Sequence, residues 1–92
     1  MKKNERKRSI PGRVVDRIKK FLARLDAKRR KRIEAIIAAI VANQLHGLDI
    51  TPLKGEGHGF RCRAGDIRIL FYRHNGQNSI YDIDFRGNIY KK

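Results

Sequence analysis

The stretch Gly59–Phe71, "GFRCRAGDIRILF", decides how the rest of the chain is read. Two runs rich in alternating residues flank Ala64-Gly65-Asp66, a tight-turn signal, so the segment reads as two antiparallel strands. Arg61, Arg63 and Arg68 sit inside runs that otherwise look like core. Taking an unpaired guanidinium out of water costs several kcal/mol. Alternation resolves the conflict. Phe60 and Cys62 share one side of the first strand, and Arg61 and Arg63 share the other. In the second strand Ile67, Ile69 and Phe71 share one side, and Arg68, Leu70 and Tyr72 the other. One face is apolar and the opposite face carries the arginines.

Working outward, Asn75-Gly76 is a hairpin signal, and Ser79–Phe85 reads as a third strand. There Tyr81, Ile83 and Phe85 are expected on the apolar face, opposed by Ile80, Asp82 and Asp84. Upstream, "LDITPLKGEGHG" (Leu48–Gly59), with Pro52 and three glycines, reads as a loop. Before it the period changes to that of helices. Val14, Val15, Ile18, Phe21, Leu22 and Leu25 form one helical stripe that starts at Pro11-Gly12 and breaks at Asp26. Asp26 suits the N-cap of a second helix, Ala27–Leu45. Its stripe is Ile33, Ile36, Ile37, Ile40 and Val41, widened by alanines, with Gly47 expected at C′. A further strand is expected within residues 4–10. The fold class is α+β: a helical hairpin on one face of a small, twisted, mainly antiparallel sheet, in the order β-α-α-β-β-β.

The 92 residues make one domain, 1–92, with a small core. Twenty-three basic against nine acidic residues give a net charge of +14. No fold requires that, and it points to a polyanionic partner: nucleic acid, an acidic protein segment or an anionic membrane. Residues 1–32 hold most of the excess, and residues 1–8 read as a flexible basic N-terminus. Lys28, Arg29, Arg30, Lys31 and Arg32 crowd the start of the second helix, the wrong sign for its dipole, so something other than helix stability favours them. Cys62 is a lone cysteine and reads as a small buried hydrophobe. Cys62, His46, His58 and His74 have no zinc-ligand spacing, so no metal is expected. The longest apolar run, Ala35–Ala42, is too short to span a bilayer, and its position is wrong for a signal peptide. A cytoplasmic protein with no membrane partner is expected.

The arginine face admits two explanations. In the first, Arg61, Arg63 or Arg68 is paired across strands with Asp82 and Asp84. Alternatively, with Arg86 nearby, the guanidiniums outnumber those carboxylates and form an anion site, matched to phosphate by their forked donors.

The ordered set "PLKG…FRCRAGDIRILFY…IYDIDFRGNIYKK", behind a helical hairpin, resembles the RelE/ParE toxin superfamily of toxin–antitoxin systems, and its RelE branch most, including archaeal members. The resemblance rests on Leu53-Lys54-Gly55, the run Phe60–Arg68 and the closing Arg86-Gly87-x-x-Tyr90. It implies the toxin of a type II system: a metal-independent, cofactor-free endoribonuclease, or mRNA interferase, that cuts mRNA in the ribosomal A site. The 2′-hydroxyl attacks the adjacent phosphorus and leaves a 2′,3′-cyclic phosphate. Carried over by motif, Arg61, Arg63, Arg68, Arg86 and Tyr90 are the catalytic set, with Arg68 and Arg86 stabilising transition-state charge. Lys54 and the run Lys28–Arg32 would bind RNA, the latter ribosomal RNA. Some members have lysine at the positions of Arg61 and Arg63. Arginine is a poor general base, which leaves the proton acceptor open and brings in His58, in the glycine-rich loop, as a candidate. The implied partners are a cognate antitoxin, mRNA and the 70S ribosome. The alternative within the superfamily is a non-enzymatic, ParE-like inhibitor of DNA gyrase; outside it, a plain RNA-binding module.

Overall fold

The computed structural model describes residues 12–55 and 57–89. Two helices, α1 (Gly12–Ala23) and α2 (Ala27–Val41), precede four strands: β1 (Asp49–Pro52), β2 (Gly59–Ala64), β3 (Ile67–His74) and β4 (Gln77–Phe85). A helical turn, α3 (Arg86–Ile89), ends the described chain. The strands form one antiparallel sheet in the order β1-β2-β3-β4, and α1 and α2 pack on it through β4. This is the expected α+β arrangement of a helical pair on a sheet. The strand expected within residues 4–10 and the basic segment 1–8 lie outside the described residues.

The helices form where apolar spacing and capping agree. Ile18, Phe21, Leu22 and Leu25 are buried, as a stripe at i, i+3, i+4 and i+7 requires. Asp26 has extended backbone, and its Oδ2 accepts from the Arg29 amide at 3.4 Å, so it caps α2 as expected. The other end of α2 differs from expectation. It stops at Val41, and Asn43, at φ 57°, takes the left-handed position assigned to Gly47. The Gln44 amide donates to Ala39 O at 2.8 Å and the Asn43 amide to Ile40 O at 3.0 Å. Together they close a Schellman motif, which asparagine tolerates.

Three other differences shape the sheet. Asp49–Pro52, read as loop, is β1, an edge strand of the described sheet; Pro52 fits there because its nitrogen faces away from β2, while the next amide, Leu53, donates to Gly59 O at 2.9 Å. Arg86–Ile89, read as tail, is helical. In β4, Leu70 faces Asp82 but Phe71 faces Ile80, so Tyr81 is an extra residue in a bulge. The bulge resets the alternation. Ile80, expected outside, is fully buried with Ile83, while Tyr81, expected inside, packs on Tyr72 with ring centroids 5.8 Å apart.

The core joins Phe21, Ile33 and Ile40 of the helices to Cys62, Ile67, Ile69, Phe71, Ile80 and Ile83 of the sheet. Phe71 stacks on Phe60 at 5.4 Å, and Phe21 meets Phe85 at 5.1 Å. Burying each such side chain contributes about 1.5–3 kcal/mol. Asn78 is also fully buried. Its Nδ2 donates to Ile40 O at 2.9 Å and Asn43 Oδ1 at 3.0 Å, and its Oδ1 accepts from Arg73 Nε at 3.0 Å. These bonds tie the end of α2 to the β3–β4 hairpin.

Candidate nucleic-acid interface

The strand register sets the face opposite the helices in three rows. The first runs Asp49, Arg63, Arg68, Asp84; the second Thr51, Arg61, Leu70, Asp82; the third passes through Gly59, Tyr72 and Ser79. Side chains directly opposite lie about 5 Å apart at Cβ. The first row therefore sets two guanidinium-bearing residues side by side.

Their environments differ. Arg63 Nε donates to Asp49 Oδ2 at 2.8 Å, with both side chains about half exposed. Arg68 is only 6% exposed, and its guanidinium donates to Gly65 O at 2.9 Å and Ile67 O at 3.3 Å. The helical turn α3 packs back on β3, following Phe85, whose partner Ile67 adjoins Arg68. Asp82 Oδ1 is engaged by Arg17 of α1 at 3.0 Å and by the Ile83 amide at 2.9 Å. Arg63 thus pairs with Asp49 rather than with Asp82 or Asp84, because β1 supplies a carboxylate where a loop was expected.

The β2–β3 turn is fastened to two other elements. Asp66 Oδ1 accepts from Arg29 of α2 at 2.6 Å, and Asp66 O accepts from the Arg86 amide at 2.7 Å. Arg29 also lies over the Phe85 ring at 5.8 Å. A cavity of about 60 Å³ between α2 and the turn is lined by Arg29, Arg32, Ile33 and Gly65. Lys28, Arg29, Lys31 and Arg32 are exposed and Arg30 is half-buried. One end of the face therefore gathers Arg63, Arg68, Arg86 and the start of α2, with Arg61, half-buried, one row away.

Two candidate residues are not part of this gathering. His58 precedes Gly59, and its carbonyl accepts from the Arg73 amide at 3.0 Å. Arg73 lies five positions beyond Arg68 on β3, roughly 16 Å away. Lys54 lies in the β1–β2 loop at the same far end. Tyr90 lies outside the described residues. Sequence reasoning missed Asp49 and Arg17, since an isolated four-residue strand and a basic residue on a basic helix carry no signal of their own. The apolar pair Ile80 and Ile83, three apart in a strand, was the available sign of the bulge that turns Tyr81 outward.

Cys62 is buried behind the arginine rows. Burial, and then the Asp49 carboxylate, push its thiol up to about 11, so it is protonated and inert at neutral pH. Among the described residues no cluster of His, Cys, Asp or Glu is placed to hold a metal ion, and no helix is long and apolar enough to cross a membrane.

A helical pair packed on a four-stranded antiparallel sheet matches the α+β fold of the RelE-like toxins, and this chain has that fold. It is similar to a chain in the crystal structure of the RelB–RelE antitoxin–toxin complex from Methanococcus jannaschii. The TM-score is 0.68 and the sequence identity 28%, over 88% of this chain and 93% of that one. No family model and no curated protein sequence matches the chain.

Proposed function

We propose that this chain is the toxin of a type II toxin–antitoxin system and acts as a ribosome-dependent endoribonuclease. The observation that carries this reading is the RelE-like fold with Arg63, Arg68 and Arg86 gathered at one end of its open face. In-line attack by a 2′-hydroxyl concentrates negative charge on a pentavalent phosphorane, and fixed cations aimed at that charge lower the barrier. Arg63 and Arg86 are exposed and can reach a phosphate. Arg68, buried and held by two carbonyls, fixes the turn that positions Arg86 and adds its field from behind. Guanidiniums stay protonated, so they orient and neutralise rather than accept the proton. Arg61 and Lys54 extend the track for the RNA backbone, and the α2 run Lys28–Arg32 meets ribosomal RNA. A cognate antitoxin with an acidic or amphipathic segment covers these surfaces in the resting cell.

Primer extension on translating ribosomes tests the reading. The expected result is cleavage within A-site codons, slowed about 10²- to 10³-fold by Arg86→Ala, the effect of losing one oxyanion donor. Intact mRNA with inhibited gyrase supercoiling would instead support the ParE-like alternative, and neither effect would leave an RNA-binding module.

A further inference from the structure

The far end of the open face is built from different material. Tyr72 is 43% exposed, the most exposed large apolar side chain of the sheet. Tyr81 lies beside it, with ring centroids 5.8 Å apart and planes 30° from parallel, so the Tyr72 ring has an aromatic brace while part of its surface stays exposed. Beside it runs a shallow groove of about 450 Å³, lined by Tyr72, His58, Gly57, Gly59 and His74. Gly57 has no atom within 4 Å of where a Cβ would stand, and its φ of +27° disfavours any larger residue, so this part of the lining is bare backbone. Lys54 is exposed in the loop at the same end, and Arg73 lines the groove with its guanidinium held from behind by Asn78 and Asn43.

We propose that Tyr72, braced by Tyr81, is a stacking subsite for one nucleobase of single-stranded RNA whose backbone runs along the arginine rows. This rests on the ribonuclease reading for the identity of the strand. Every base has a π-face, so an exposed aromatic beside a cationic track binds single strands without reading their sequence. Tyr72 and Arg68 are four residues apart on β3, about 13 Å, which is more than one nucleotide step. The subsite therefore holds a nucleotide flanking the cleaved bond and not the reacting one. The bulge at Tyr81 is what creates it: with unbroken alternation, that ring would lie in the core and Tyr72 would stand without a brace.

The test measures binding of a fluorescein-labelled, all-deoxy octanucleotide, which has no 2′-hydroxyl and cannot be cut, by anisotropy over a range of salt. Tyr72→Leu should weaken binding about 5- to 100-fold, the usual range for one lost stack, and Tyr72→Phe should stay within about 2-fold of wild type. The slope of log affinity against log salt should be the same for all three, because no phosphate contact changes. On an octamer of abasic residues the difference should vanish. Wild-type affinity in Tyr72→Leu, a changed salt slope, or a loss that persists on the abasic octamer overturns the subsite. So does a loss of binding to a protein partner with octamer binding intact, which would make the patch a protein-docking surface. Cleavage on ribosomes is read separately. If it is present while Tyr72→Leu binds normally, the subsite alone fails; if it is absent while the stacking signature holds, the nuclease reading alone fails.

Discussion

The two ends of the open sheet face are built on opposite principles. At the β2–β3 turn, charge is fixed: Arg68 is buried against backbone carbonyls, Arg63 is held by Asp49, and Arg29 is held by Asp66. At the β1–β2 loop, the surface is aromatic and glycine-lined, and its rigidity comes from behind, through the buried Asn78 that joins β4 to the end of α2. The first arrangement suits a task that needs cations held still while charge develops nearby. The second suits a flat, sequence-tolerant contact. The difference teaches that the location of the arginines alone does not define the interface. How each one is held separates a group that can touch a ligand from one that positions its neighbours.

The largest expected effect on stability falls behind the aromatic end. Asn78→Ala strips partners from Ile40 O, Asn43 Oδ1 and Arg73 Nε. Ile40 O keeps the Asn43 amide and Asn43 Oδ1 keeps Arg73 Nη2, but Arg73 Nε loses its acceptor; with three bonds lost and a cavity left at a fully buried site, the cost should be about 2–4 kcal/mol in urea denaturation. A cost below about 1 kcal/mol would mean that this end is not braced as described. Midway between the ends, Cys62 provides a pH test. Its thiol is raised from 9.0 to about 11. Between those values the unfolded chain releases a proton that the folded chain keeps. This stabilisation is therefore complete below pH 9 and lost as the pH rises to 11, by up to about 3 kcal/mol. Subtracting the pH profile of Cys62→Ala isolates that share from lysine and tyrosine titration; parallel profiles would refute it.

Much of this contrast was legible in the sequence, and the reason is periodicity. The stripe from Val14 to Leu25, the Asp26 cap and the alternation through Gly59–Phe71 each reflect a local repeat, and the structure follows all three. Features without a repeat were not legible. Asp49–Pro52 is too short to alternate visibly and becomes a strand only because β2 offers it a partner. Asn43, not Gly47, ends α2, and its side chain is also drawn into the Asn78 network. Tyr81 changes face because a bulge lets both Ile80 and Ile83 reach the core. Arg68 alternates outward as expected yet is buried, because the chain after β4 folds back on β3. The residues of the arginine cluster could thus be named from sequence, while their exposure depended on tertiary contacts.

A paired comparison sharpens the division of labour within that cluster. Arg68→Ala should cost about 1–3 kcal/mol, since it leaves the Gly65 and Ile67 carbonyls without their charged donor. Arg63→Ala should cost less than about 1 kcal/mol, as it removes only a half-exposed ion pair. Equal costs would erase the distinction between holder and contact.

The smallest expected change in stability, Asp49→Asn, probes the same distinction from the carboxylate side. It keeps the side-chain shape of β1 and removes the charge that engages Arg63 at 2.8 Å. Stability should move by less than about 1 kcal/mol. Affinity for a single-stranded oligonucleotide should rise, and the salt slope should steepen by about one, because a released guanidinium can neutralise one more phosphate. The Cys62 thiol should ionise at lower pH, since Asp49 is the second cause of its upward shift. If the thiol shifts while the slope stays flat, the carboxylate has been removed but Arg63 still does not reach the nucleic acid, and the phosphate track must be assigned to Arg61 and Arg86 alone.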